Sequence, residues 1–255
     1  MSKPVLLIDR TDPHIAILTL NRPNRRNALS IELIDALRTA IEESCKDTGR
    51  RVLILRGSGP SFCAGLDFTE AQNIANSHQS AQSLAALYRA LCAAPLVTIA
   101  SAHGAALGGG AGLIAACDLA VASDDLQLGY PEVRRGLVAA LVTCLLRRQV
   151  SGRRLREILL LGQTLNARQA IEAGLINRVV PASSLTSETA ALAEAVSESA
   201  PGAVARTKRL LDDLDGIASD LQIALDVHLA ARDSQEAAEG IAAFFEKRVP
   251  RWSAD

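Results

Sequence analysis

Leu96-Val97-Thr98-Ile99-Ala100-Ser101-Ala102-His103-Gly104-Ala105-Ala106-Leu107-Gly108-Gly109-Gly110-Ala111-Gly112-Leu113-Ile114-Ala115-Ala116-Cys117 runs without an Asp, Glu, Lys or Arg. A charge-free stretch of about 20 residues is long enough to cross a bilayer. Its content argues otherwise: Pro95 precedes it, Ser101 and His103 interrupt it, and the glycines make a poor helix interior. The stretch reads instead as a buried strand over 96–100, a glycine turn, and a helix carrying Leu113 to Cys117. A strand feeding a helix through glycines is the unit from which the rest of the chain is read.

Upstream, Val5 to Ile8 and Ile15 to Leu20 are apolar runs parted by Thr11-Asp12-Pro13, which predicts a β-hairpin. Ser30 suits the cap of a helix with Leu33, Ile34, Leu37 and Ile41 on one face, and Val52 to Leu55 reads as a buried strand ending at Gly57. Leu84 to Cys92 is helical by composition, and Leu119 to Ala122 and Leu126 to Leu128 are two further strands. Strands alternating with helices imply an α/β fold with crossover connections. After Val180-Pro181 the chain turns Ala-rich over 189–199, 201–214, 219–231 and 234–247, with no strand pattern. No repeat or low-complexity linker divides it, so the expectation is a core over 1–194 followed by a helical C-terminal region over 195–255.

Composition narrows the partners. The 255 residues carry 27 Lys plus Arg against 28 Asp plus Glu, a net charge of -1, so no polyanion-binding face is expected and nucleic acid is set aside. The five cysteines form no C-x-x-C pair and no His cluster has metal-ligand spacing. They are read as reduced thiols of a cytoplasmic protein without a metal. The first nine residues lack the length and cleavage site of a signal peptide.

Three segments can carry chemistry. In Ser61-Phe62-Cys63-Ala64-Gly65-Leu66-Asp67, Ala-Gly after a strand either turns the chain or leaves a backbone N–H pointing into a cleft. In His103 through Gly112, free N–H groups at a helix start, with the helix dipole behind them, favour an oxygen gaining negative charge. Neither the Walker lysine nor the dinucleotide fingerprint accompanies these glycines. In Leu128-Gly129-Tyr130-Pro131-Glu132-Val133, Pro131 suits a first helical turn and sets Glu132 near its start, as a solvated first-turn carboxylate or as a base. His103 reads as a packed, hydrogen-bonded side chain.

In order along the chain these segments resemble the crotonase, or enoyl-CoA hydratase/isomerase, family. The resemblance also takes in Leu20-Asn21-Arg22-Pro23 with Asn27-Ala28-Leu29, Cys117-Asp118, Gly136-Leu137, and Ala170 through Val180. It implies a ββα-repeat spiral core with a helical C-terminal region used for oligomerisation, assembled as a homotrimer or homohexamer. It implies an acyl-CoA thioester as substrate, with coenzyme A arriving as part of it and no separate cofactor. The N–H groups of Leu66 and Gly109 would hold the thioester oxygen, because removing an α-proton or adding a nucleophile at the β-carbon pushes charge onto it; each such donor is worth on the order of 3 kcal/mol. Glu132 would move the protons. CoA would follow the Arg25-Arg26-Asn27-Ala28 turn and Cys63-Ala64, with Arg25 and Arg26 near its phosphates or simply solvated. Asp67 and Gly108, beside the two donors, join the binding residues by position, although Asp67 also suits a helix cap. Lys247, after Phe244-Phe245-Glu246, matches a helix that in relatives approaches CoA.

The chain departs from the family pattern at Gly112, where hydratases of the best-known type carry a first glutamate. Leu137-Val138-Ala139-Ala140 also replaces a more usual Pro and glycines, which implies a different acyl pocket. Hydration and isomerisation of an unsaturated acyl-CoA both stay open, as does isomerisation alone. A family member that binds acyl-CoA or RNA without turnover is the remaining alternative.

Overall fold

The computed structural model describes residues 3–70, 74–215 and 217–253. Strand β1 (Leu6–Asp9) pairs antiparallel with β2 (Ile15–Leu20), Leu6 opposite Leu20 and Asp9 opposite Ile17. The hairpin turns because the Asp12 carboxylate accepts from the N–H groups of His14 and Ile15 at 2.7 and 2.9 Å. Ser30 then caps α1 (Ile31–Lys46), its Oγ accepting from Leu33 N–H at 3.2 Å, and the helix buries Leu33, Ile34, Leu37 and Ile41.

β3 (Val52–Gly57), α2 (Ile74–Cys92) and β4 (Val97–Ala102) follow, then β5 (Ala105–Leu107), α3 (Gly109–Ala116), β6 (Leu119–Ser123) and β7 (Gln127–Gly129). A short 3-10 turn (Pro131–Arg135) leads to α4 (Ala140–Leu146), α5 (Gly152–Leu161), β8 (Thr164–Asn166), α6 (Ala167–Glu172) and β9 (Arg178–Val180). Two sheets result, with strand orders β1-β2-β3-β4-β6-β9 and β5-β7-β8. Only β1 runs antiparallel in the larger one. β4 and β6 each lie in the large sheet while the strand that follows, β5 or β7, lies in the small one, so successive strand pairs wind the chain as a ββα spiral.

The glycine stretch is more structured than its composition predicts. It holds β5 as well as a turn, and α3 begins at Gly109 and carries Leu113 through Ala116, with Cys117 at its C-terminal cap. Close packing overrides helix propensity here: a Cβ at Gly110 would lie 2.3 Å from the Cys63 carbonyl oxygen, so the helix can approach that loop only without a side chain.

The C-terminal helices are α7 (Leu185–Ser197), α8 (Pro201–Asp215), α9 (Ile217–Arg232) and α10 (Gln235–Glu246). α7 runs through residue 194 and lays Leu185 and Ala193 on a second apolar cluster with Val52, Ile54, Ile99 and Val121. α9 packs across α2 and α4, with Leu221 and Ala224 in the main core. Among the described residues no helix is long and apolar enough to cross a membrane.

Candidate active site

The site begins with a buried side chain. Asn27 lies in the left-handed region at φ 54°, fully buried. Its Nδ2 donates to the carbonyls of Ser58, Ser61 and Phe62 at 2.8, 2.8 and 3.2 Å, while its Oδ1 accepts from Arg22 N–H at 2.9 Å. One side chain thus ties the 22–28 turn to the loop after β3. Ala64 N–H donates to the Arg26 carbonyl at 2.9 Å, which sets the Arg25–Ala28 turn against the Ala-Gly segment.

That segment is pinned on both sides. Cys63 N–H donates to Ala105 O and Leu107 N–H to Cys63 O, each at 3.0 Å, and Leu29 N–H donates to Gly65 O at 2.8 Å while Asp67 N–H donates to Leu29 O at 3.0 Å. Leu66 sits between these bonds, and its own N–H has no acceptor among the described residues. Gly108, at φ 51°, turns β5 into α3 and donates to Gly129 O at 2.8 Å. Gly109 is therefore the first residue of α3, where an N–H has no intrahelical partner, and it too finds no acceptor among the described residues. The two turns touch: a Cβ on Gly65 would lie 3.5 Å from Gly109 N. Leu66 and Gly109 both line the wall of one cavity.

Glu132 enters the same cavity from the 3-10 turn. Its Oε1 lies 3.1 Å from where a Gly108 Cβ would be, one residue from Gly109. Its Oε2 is buried without a partner. Burial pushes the carboxyl up to about 7, against smaller opposing effects of its own backbone and the Arg135 guanidinium. A carboxyl so placed is divided between acid and base near neutrality, as proton transfer in both directions requires.

Tyr88 stands opposite, on α2, and sequence reading did not single it out. Its Oη–H donates to Gly109 O at 2.8 Å, and burial holds the phenol well above its ordinary pKa. A Cβ on Gly112 would come within 2.0 Å of that oxygen and 2.6 Å of Val142 Cγ1. The space next to Gly112 is thus filled by a neutral phenol, not left open. Arg135, His228 and Arg232 also line the cavity and were equally unforeseen. Arg135 lies over the rings of Phe68 and Phe244, 5.5 and 4.8 Å from their centroids. Leu137, Val138 and Ala139 form part of the wall, so the unusual loop after Gly136 does shape the pocket.

Ala64, Leu66, Gly108, Gly109 and Glu132 meet on this wall, whereas Arg25, Arg26, Ala28, Cys63, Asp67 and Lys247 are not part of it. Arg25 is exposed, donates to Thr69 Oγ1 at 2.7 Å and lies 3.5 Å from Asp67. Arg26 is exposed at φ 48°. Ala28 O accepts from the Arg22 guanidinium, and Cys63 is sealed, its thiol pushed up to about 12 by burial. The Asp67 carboxylate is taken up by Arg22 at 3.0 Å and by the Thr69 N–H in a local turn. Lys247 is exposed and ends α10 at φ 54°. His103 hydrogen-bonds the Gly59 carbonyl. No group of three His, Cys, Asp or Glu side chains among the described residues could hold a metal.

The family model described as enoyl-CoA hydratase/isomerase matches residues 10–255. A relative from Thermus thermophilus, bearing an enoyl-CoA hydratase name, is 38% identical over 94% of this chain and 97% of its own. The mevalonyl-coenzyme A hydratase sidH of Aspergillus fumigatus is 35% identical over 96% of this chain and 94% of its own. A solved enoyl-CoA hydratase/isomerase from Xanthobacter autotrophicus Py2 superposes with a TM-score of 0.88 at 30% identity, covering 97% of this chain and 95% of that one. Matched over nearly its whole length in sequence and in fold, the chain belongs to the enoyl-CoA hydratase/isomerase, or crotonase, family of enzymes.

Proposed function

We propose that the chain acts on an unsaturated acyl-CoA through a thioester enolate, with the Leu66 and Gly109 N–H groups holding the enolate oxygen and Glu132 making every proton transfer. The observation that carries this is the convergence, in one cavity, of two backbone donors without acceptors and a buried carboxyl oxygen without a partner. For a 3-enoyl thioester, Glu132 takes a proton from C2, the C2–H electron pair passes through the enolate to become the C2–C3 double bond, and the C3–C4 π pair bonds the proton that the same carboxyl returns at C4. For a 2-enoyl thioester, Glu132 takes a proton from water as its oxygen bonds to C3, and delivers that proton to C2 as the enolate collapses. Either route leaves the carboxylate as it began. Tyr88 cannot supply a second base: it is neutral, and its O–H is committed to Gly109 O. This favours the double-bond shift, which needs one base, while the hydratase names of the relatives favour hydration.

Coenzyme A would lie along the Arg25–Ala28 turn and Ala64, with Arg25 and Arg26 at the surface to meet its phosphates. A trimer, or a pair of trimers, would cover Leu210, Leu211 and Leu214 of α8, which are exposed in the single chain. Incubation with a 2-enoyl-CoA and a 3-enoyl-CoA, followed by absorbance of the conjugated thioester and by deuterium uptake from heavy water, tests the chemistry. Turnover of either substrate that falls about 10²–10⁴-fold in Glu132→Gln, with acyl-CoA binding kept, is expected. Undiminished turnover in that variant would remove Glu132 from the mechanism, and binding without any deuterium exchange would make the chain a carrier.

A further inference from the structure

His228 and Arg232 stand one helical turn apart on α9, so their side chains share a face, and that face closes the cavity that holds Glu132. Each residue is only 8% exposed. Arg232 Nε donates to Ser77 Oγ, and its Nη2 is buried with no partner among the described residues. The Val138 backbone acts on the His228 ring so as to favour a proton on the nitrogen facing it, and the ring's Nε2 is buried without a partner among the described residues. Burial first, and the neighbouring Arg232 charge second, lower the imidazole to about 4, so the ring is neutral at pH 7. Its unpartnered nitrogen is then the one carrying the lone pair.

The residues of the cavity wall therefore include a charged N–H that needs an acceptor and, one helical turn away, an imidazole nitrogen that needs a donor. Leaving such groups unpaired in a buried place is unfavourable. A methyl group answers neither need. A carboxylate answers Arg232 but brings no proton for Nε2, whereas a hydroxyl answers both. The position suits the chain end of a substrate: Ser77, the partner of Arg232, precedes Tyr88 on α2 by about three helical turns, ~16 Å of axis. Leu84 stands between them on the cavity wall. Tyr88 marks the end where Gly109 lies.

We propose that the cavity selects an acyl-CoA bearing a hydroxyl group on its chain beyond the reacting carbons, the oxygen accepting from Arg232 Nη2 and the proton being donated to His228 Nε2. This rests on the acyl-CoA reading of the site, and it names the substrate class within it.

Saturated acyl-CoA analogues, which cannot turn over, provide the test. Calorimetric titration with butanoyl to decanoyl chains ending in methyl, hydroxyl or carboxylate reads the preference directly. At one chain length the hydroxyl analogue binds at least about tenfold more tightly than its methyl counterpart. Arg232→Met and His228→Phe each abolish that difference while keeping the affinity for methyl-ended chains, and that retained affinity shows the fold is intact. Equal affinity for hydroxyl and methyl ends, tighter binding of the carboxylate, or a hydroxyl preference that survives both substitutions overturns the proposal while leaving the acyl-CoA reading standing. Failure of every acyl-CoA to bind overturns both.

Discussion

Gly112→Ala tests the meeting of Tyr88 and α3 with one methyl group. The new Cβ would sit 2.0 Å from Tyr88 Oη, 2.6 Å from its Cζ and 2.6 Å from Val142 Cγ1. Ordinary contact begins near ~3.5 Å, so the phenol must retreat by about 1.5 Å. It has nowhere easy to go: the ring is fully buried, and its hydroxyl is held by Gly109 O at 2.8 Å. Overpacking a tight interior costs about 1–3 kcal/mol. Pulling the hydroxyl off its acceptor inside the protein costs about 1–3 kcal/mol more. A loss of about 2–6 kcal/mol follows, which lowers the melting temperature by roughly 5–20 °C in a chain of this size. Differential scanning calorimetry reads it. Tyr88→Leu removes the obstacle, so in a double-mutant cycle Gly112→Ala costs at least about 1 kcal/mol less in the Tyr88→Leu background than alone. The same crowding means that Gly112→Glu by itself unfolds or distorts the site instead of adding a second carboxylate, and hydration does not rise. A Gly112→Ala protein melting within about 2 °C of the parent would refute the placement of Tyr88 and the account of the missing glutamate built on it.

Three further outcomes follow from the same geometry. Glu132 has its folded pKa raised from 4.5 to about 7, so its stabilising contribution is complete below pH 4.5 and is lost as pH rises through about 7. Glu132→Gln, which does not ionise, is accordingly more stable than the parent at pH 8 by on the order of 3 kcal/mol and no more stable at pH 4, by urea denaturation at the two pH values. Asn27→Ala removes the donor shared by three loop carbonyls and lowers stability by about 2–4 kcal/mol, measured the same way. In native protein an alkylating reagent reaches Cys45 first and spares Cys63 and Cys117, whose thiols are buried and pushed upward; equal labelling of all three by mass spectrometry would contradict their burial.

What could be read from the sequence is what neighbouring residues decide. The Asp12 turn, the Ser30 cap and strands β1, β2, β3, β4 and β6 of the large sheet are encoded within a few residues, and the structure has them close to where turn chemistry and periodicity put them. The Ala-Gly and triple-glycine segments announced themselves as turns able to bare an N–H, and Pro131 announced the turn that carries Glu132. That the glycine segment opens a helix was legible, but not why that helix tolerates its glycines: Gly110 and Gly112 serve approaches of Cys63 and Tyr88 from other parts of the chain. The α9 pair was hidden for a similar reason. An i, i+4 His and Arg on an Ala-rich helix reads as a solvated face until α2 and α4 are seen to cover it.

Position 112 shows how a local gap and a distant residue become one feature. From sequence, the glycine there reads as a lost acid. In the fold, its missing side chain is what lets the Tyr88 ring enter and bond the Gly109 carbonyl, part of a residue on the cavity wall. A glutamate at 112 and a tyrosine at 88 compete for one volume. Having taken the tyrosine, the chain gains a rigid apolar wall beside the proposed oxyanion donors and gives up any second carboxylate there. Glu132 is the one carboxyl on the wall among the described residues, pushed up to about 7 by burial, so in the proposed reaction both halves of the proton relay would fall to it. The substrate is then told apart at the other end of the cavity, where α9 supplies the polar groups that the reacting end lacks.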